Sequence, residues 1–265
     1  MKYIILLTLL TLQLLLASTT SSILTVDNKN ETATIKIDKI DVGVSGFVIH
    51  KIADGHTSIL KSAEVISYDK DTKIATLKLT DYNIFKNNSL PSGKWHVEVG
   101  DTAQLAFAYS RALLIAPSEE IYHKITKSVD VQWIHPDLFA TILSYKGHPT
   151  PLKKDFDTMS VDGGVGLLFI YLNKKVYTLD IKSFSILSIS DAPLIQKDVK
   201  IPFYSRVGRI TANWFGEGSS RLSEYEPHYY ELLVEYNKKN KKLYKIIKNG
   251  DKKLHFLLDK FTIGK

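Results

Sequence analysis

Between Ala33 and Tyr109 apolar and polar residues alternate, as in Thr34-Ile35-Lys36-Ile37-Asp38 and Lys73-Ile74-Ala75-Thr76-Leu77-Lys78-Leu79. A period of two sends successive side chains to opposite faces, which is the pattern of half-buried strands. Asp54-Gly55 and Gly100-Asp101 mark turns, and Gly43 and Gly46 sit inside an apolar run where they would permit a bulge or a tight barrel corner. Short alternating strands with such corners predict a small β-barrel or curled sheet over residues 30–110.

The pattern changes at Arg111. Ala112-Leu113-Leu114-Ile115-Ala116 is apolar throughout and predicts a buried strand, and Pro117-Ser118-Glu119-Glu120 starts a helix with Ser118 as cap and two acids in its first turn. A strand at Val131-Gln132-Trp133-Ile134 precedes a second helix, capped by His135, opened by Pro136 and stopped by Gly147. Thr150-Pro151 opens a third, with Leu152, Phe156 and Met159 inward. Val165 to Leu172 and Lys175 to Ile181 read as a hairpin turning at Asn173-Lys174. Strands alternating with helices predict an α/β layer over residues 111–190, its sheet made mixed by the hairpin. Residues 191–265 are irregular until Pro227, where Tyr229, Leu232, Leu233, Tyr236, Leu243, Tyr244 and Ile247 recur at helical spacing and predict one amphipathic helix running to Asn249. The class is therefore α+β, or mixed α/β, with an N-terminal barrel and a basic C-terminal helix.

Ahead of the barrel, Lys2 is followed by an apolar run to Leu16 and then by small residues from Ala17 to Ser22. This reads as a secretory signal peptide over residues 1–17, with cleavage after Ala17 or as late as Ser22. The run is too short for a relaxed helix across a hydrocarbon core of about 30 Å. Export to the periplasm, cell surface or outer membrane is the expectation. The absence of cysteine rules out disulfides, thiolate metal sites and a cysteine nucleophile.

The net charge of +7 is concentrated at one end. From Asn237 onward ten lysines face only Asp251 and Asp259. In an exported chain such a segment suits an anionic envelope component, lipid or glycan, or a lysine-reading partner, before nucleic acid. The last residue given, Lys265, offers an ammonium and an α-carboxylate together, which a receptor with paired acidic and basic groups can grip.

Catalytic signals are sparse. His135-Pro136-Asp137 and His148-Pro149 flank one predicted helix, so a hydrolytic or metal site using His135, Asp137, His148 and Asp155 is one reading. The plainer one makes both histidines cap and loop residues, as expected before proline. Gly163-Gly164-Val165-Gly166 lies between helix and strand, the reverse of a phosphate loop. No Gly-x-Ser-x-Gly elbow or His-Glu-x-x-His pair occurs. The expectation is a binding protein, not an enzyme, with no cofactor and no metal.

Five blocks carry a family likeness: Val42–His50, Arg111–Pro117, Trp133–Ala140, Gly147–Phe156 and Phe203–Val207. In this order they resemble the N-terminal domain of the plasminogen-binding proteins of Helicobacter and related Campylobacterota. The resemblance implies an exported, surface-associated protein that captures host plasminogen, with lysines engaging its kringle domains. In this chain the lysines at issue are Lys252, Lys253, Lys260 and Lys265. An envelope protein docked through its basic helix is the alternative.

Overall fold

The computed structural model describes residues 18–82, 95–195 and 198–263. The expected signal peptide and Lys265 lie outside them.

Six antiparallel strands close a barrel: β1 (Thr19–Asp27), β2 (Thr32–Lys36), β3 (Ser45–Ala53), β4 (His56–Asp69), β5 (Ile74–Asp81) and β6 (Thr102–Leu105). Around the barrel they run β1-β2-β5-β4-β3-β6, and β6 returns to β1. Alternation does what the sequence pattern requires: Ile23, Ala33, Ile35, Val48, Ala63, Val65, Ala75, Leu77, Ala103 and Leu105 fill the interior. Gly46 marks the closest approach of two walls, because a Cβ there would lie 2.0 Å from the Gln104 carbonyl on β6. The barrel starts earlier than the sequence suggests. β1 begins at Thr19, ahead of residue 30, and Thr19–Ser22 pair with Leu105–Thr102 to seal it.

The chain leaves the barrel through Ala106 and Ala108, both in the left-handed region with φ of 55° and 59°. That conformation costs a residue with a Cβ roughly 1–2 kcal/mol. Hydrogen bonds from Ala106 N to Ser45 O and from Gly166 N to Ala108 O hold it there.

A second sheet follows, with order β11-β10-β9-β7-β8, built from β7 (Arg111–Ile115), β8 (Gln132–Ile134), β9 (Leu167–Leu172), β10 (Lys175–Asp180) and β11 (Ile186–Asp191). β8, β7 and β9 are parallel, while β9, β10 and β11 are antiparallel, so the sheet is mixed as expected. Every residue of β9 is buried because both faces are covered. Ala112, Leu114, Leu167, Phe169 and Tyr171 face the barrel and share its core, with α1 (Glu119–Thr126) alongside. Leu113, Ile115, Leu168, Ile170 and Leu172 face a second core beneath α2 (Pro136–Lys146), α3 (Lys153–Asp162), α4 (Tyr225–Tyr236) and α5 (Lys241–Lys248).

The helix starts follow their caps. Ser118 accepts from Ile121 N, and His135 Nδ1 accepts from Asp137 N ahead of Pro136. Gly147 stops α2 at φ 69°. The single C-terminal helix expected from Pro227 is corrected by the structure. It breaks after Tyr236, where Asn237 turns the chain by donating to the Phe184 and Leu233 carbonyls and accepting from Ile186 N. α5 restarts on an Asn240 cap, and a 3₁₀ helix, Lys252–Lys260, closes the described chain.

Closure of the barrel by β1 yields a test. A chain starting at Ile23 lacks the Thr19–Ser22 ladder to β6 and is expected to lose roughly 2–4 kcal/mol of unfolding free energy relative to one starting at Ser18. Urea unfolding of both chains measures this. Coincident midpoints would show that the seam contributes nothing.

Candidate functional site

Three places concentrate polar chemistry: the lysine segment, the two histidine motifs and the groove between barrel and sheet.

α5 buries Leu243 and Ile247, and this fixes its lysines outward. Lys241, Lys242, Lys245 and Lys248 are exposed, as are Lys239 and, at the start of the 3₁₀ helix, Lys252 and Lys253. Several lysines are held. Lys238 pairs with Glu235 at 2.7 Å, Lys260 with Glu231 at 2.5 Å, and Lys242 Nζ donates to the Ile189 carbonyl. Lys239, Lys241, Lys245, Lys248, Lys252 and Lys253 have no ion-pair partner among the described residues. The sequence-based candidates thus divide: Lys252 and Lys253 are free, Lys260 is tied to α4, and Lys265 lies outside the described residues.

The histidine motifs do not meet. His135 caps the start of α2 and His148 follows its end, so an 11-residue helix, about 16 Å long, separates them. The joint site suggested for His135, Asp137, His148 and Asp155 is therefore corrected to two separate clusters. No group of three metal-ligating side chains forms among the described residues.

At the first cluster Asp137 accepts from Arg206 N and Nε, both at 2.7 Å, and lies 3.1 Å from His135 Nδ1. Burial pushes the Asp137 carboxyl up, but the Arg206 hydrogen bonds and the His135 and Arg206 charges outweigh it and leave the pKa lowered. His135 is shifted down, first by burial. Its ring stands against Tyr122 and Tyr204, with centroids at 5.3 and 6.2 Å.

At the second cluster the fully buried Asp155 accepts from His148 Nδ1 at 2.9 Å and from Leu152 N at 2.9 Å, with Lys146 Nζ at 3.4 Å. All its capacity goes to fixing the α2–α3 connection. Both clusters are braces, their carboxylates held by protein donors.

The groove is different. It holds about 850 Å3 between the outer faces of β3, β4 and β5 and the end of α3 with the turn after β10. Behind the lining residues Ser45, Lys182 and Ser183, the fully buried Asp180 accepts from Ser45 N and Oγ, Tyr109 OH, Lys182 N and Ser183 N. Glu64 from the barrel and Lys182 from the sheet line the groove, both half-buried. Sequence reasoning missed all three. Asp180 left a trace, as a charge ending a run whose neighbours are core residues. Glu64 left none, because a polar residue on the outer face of a barrel is ordinary.

The family model described as "Plasminogen-binding protein pgbA N-terminal" matches residues 18–233. Two curated relatives, each named Plasminogen-binding protein PgbA and coming from two strains of Helicobacter pylori, are 29% identical over 206 residues, 76% of this chain. The match takes in 44% of each relative, so the chain corresponds to less than half of their length. No solved structure matches. The chain belongs to the plasminogen-binding protein pgbA N-terminal family. The matched region holds the barrel, the mixed sheet, both braces and the groove, and it ends inside α4 before the first of the ten C-terminal lysines.

The Arg206–Asp137 brace is testable by pH. Because the folded Asp137 pKa is depressed, its stabilisation is present above the ordinary carboxylate range and is lost as pH falls through the folded value. Arg206→Ala is expected to lower the unfolding midpoint near neutral pH and to lower it much less at a pH acidic enough to protonate the folded Asp137 carboxylate. Denaturant midpoints at the two pH values decide it, and an equal loss at both would remove the ion pair as the cause.

Proposed function

We propose that this chain is an exported envelope protein that captures plasminogen, and that the lysines beyond Asn237 make the contact by entering lysine-reading kringle domains. The observation that carries this reading is the set of six lysines without ion-pair partners among the described residues, standing outward on α5 and its flanks. A lysine already paired must give up its partner before it can enter a receptor pocket, whereas an unpaired one loses only solvation. The relatives' name supports the choice of partner. Export rests on the apolar run to Leu16, and cleavage after Ala17 would leave β1 whole.

A second reading has its own support. The basic segment lies outside the region shared with the family, so it is suited equally to holding the protein on anionic lipid or cell wall. Roughly 1 kcal/mol per lysine near an anionic surface makes six free lysines a strong docking face.

The deciding measurement is surface-captured binding of plasminogen, with and without excess lysine analogue, for the intact protein, a chain lacking Lys265, and Lys252→Ala/Lys253→Ala. The proposal expects the analogue to abolish binding and the variants to weaken it at least about tenfold, or about 1.4 kcal/mol. Binding indifferent to both the analogue and the variants would sink it. The envelope reading expects instead attachment to anionic vesicles that weakens steeply with salt and ignores the analogue.

A further inference from the structure

We propose that the groove between barrel and sheet is a binding site for a small zwitterion with an apolar body, an amino acid or a short peptide, whose ammonium meets Glu64 and whose carboxylate meets Lys182. This goes beyond plasminogen capture and does not depend on it.

The Glu64 carboxylate and the Lys182 ammonium line one groove, are both half-buried, and make no hydrogen bond or ion pair to a described residue. Both charges still reach water but lose part of their hydration to the groove walls, so an opposite ligand charge that replaces that water is favoured. Of the protein's own candidates, Lys78 lies opposite Glu64 across the β4–β5 ladder without forming an ion pair, and the others are occupied. Asp157, the acid that acts most strongly on Lys182, is held by Lys153 at 2.5 Å. Asp180 is saturated by its five donors. For Glu64 the nearby cations are Lys78, which is exposed, and the same committed Lys153. Burial and the Asp180 charge push the Glu64 carboxyl up, and burial pulls the Lys182 ammonium down. Burial is the first cause of each shift.

The walls indicate the rest of the ligand. Phe47 stands edge-on to Tyr82 and to Phe107, with ring centroids 5.5 and 5.3 Å apart, and Phe107 is 50% exposed. An exposed aromatic edge beside two unpaired charges of opposite sign suits a ligand with both charges and a planar or aliphatic body. The volume falls in the range of about 300–1,000 Å3 usual for small-molecule sites. A simple anion or cation would satisfy one charge and leave the other unpaired. The opposed walls come from different layers, β4 of the barrel and the turn after β10, and the Asp180 joint holds them in place.

Isothermal titration calorimetry of the purified protein tests this with L-phenylalanine and alanyl-phenylalanine, beside phenethylamine, which lacks the carboxylate, and phenylpropionate, which lacks the ammonium. At least one zwitterion is expected to bind about tenfold or more tightly than either single-charge analogue. The tighter of the two distinguishes free amino acid from peptide. Glu64→Gln should weaken the zwitterion about tenfold and leave phenylpropionate unchanged, while Lys182→Met should leave phenethylamine unchanged. The analogue comparison needs no variant, so a folding defect in either leaves the test intact. Absence of heat from both zwitterions at millimolar concentration, or equal affinity for all four compounds, overturns the proposal. Neither result bears on plasminogen capture.

Discussion

One buried carboxylate joins the two layers of this protein. Asp180 ends β10, and two of its five donors come from Ser45, 135 residues away at the start of β3. Burying an ion costs several kcal/mol even after relaxation. Charge-assisted bonds from backbone N–H groups and hydroxyls, with none left to water, are the means by which that cost is met. Tyr109 shows how dry the place is, since burial first and then the Asp180 charge drive its phenol far above the ordinary range. Around this point Ser183 Oγ donates to the Gly43 carbonyl, and a Cβ on Gly43 would stand 2.2 Å from that of Ser185. The groove exists because these contacts touch at one corner and leave the walls apart beyond it.

Much of the fold was legible because local rules and tertiary demands agree. The alternation of β2 to β5, the Ser118 cap, the Pro136 and Gly147 limits of α2 and the Asn173-Lys174 turn each recur in the structure with the physics that predicted them. What failed had no local signal. Within β1 only Ile23 is buried, so Thr19-Thr20-Ser21-Ser22 read as the tail of a signal peptide and not as a strand. β11 is half-buried up to its exposed last residue, Asp191, and gives no clear alternation. The break after α4 depends on Asn237 reaching Phe184 and Ile186, which helical periodicity cannot reveal.

The candidate sites divide along the same line. That the terminal lysines would face solvent followed from the apolar spacing of Leu243 and Ile247. That Lys260 would be held did not, because Glu231 is 29 residues away on another helix. The two His-Pro motifs were legible as chemistry but not as geometry: proximity in sequence became opposite ends of a rod. Glu64 gains its significance only when a second layer covers an outer barrel face, and no pattern internal to β4 announces that.

The barrel takes all its strands from one unbroken stretch, Thr19 to Leu105. An order of assembly is built into this arrangement. A chain delivered N-terminus first can complete the barrel before most of the mixed sheet has emerged, forming the β1–β2, β3–β4 and β4–β5 hairpins, joining β2 to β5 and closing with β6. Asp180 arrives later, after β7 and β9 have brought their barrel-facing residues against a surface already formed. The last layer therefore docks onto a finished template, and a chain interrupted before Asp180 would display Ser45 and the apolar rim beside it to whatever else is present, a moment at which an escort or a second copy could intervene.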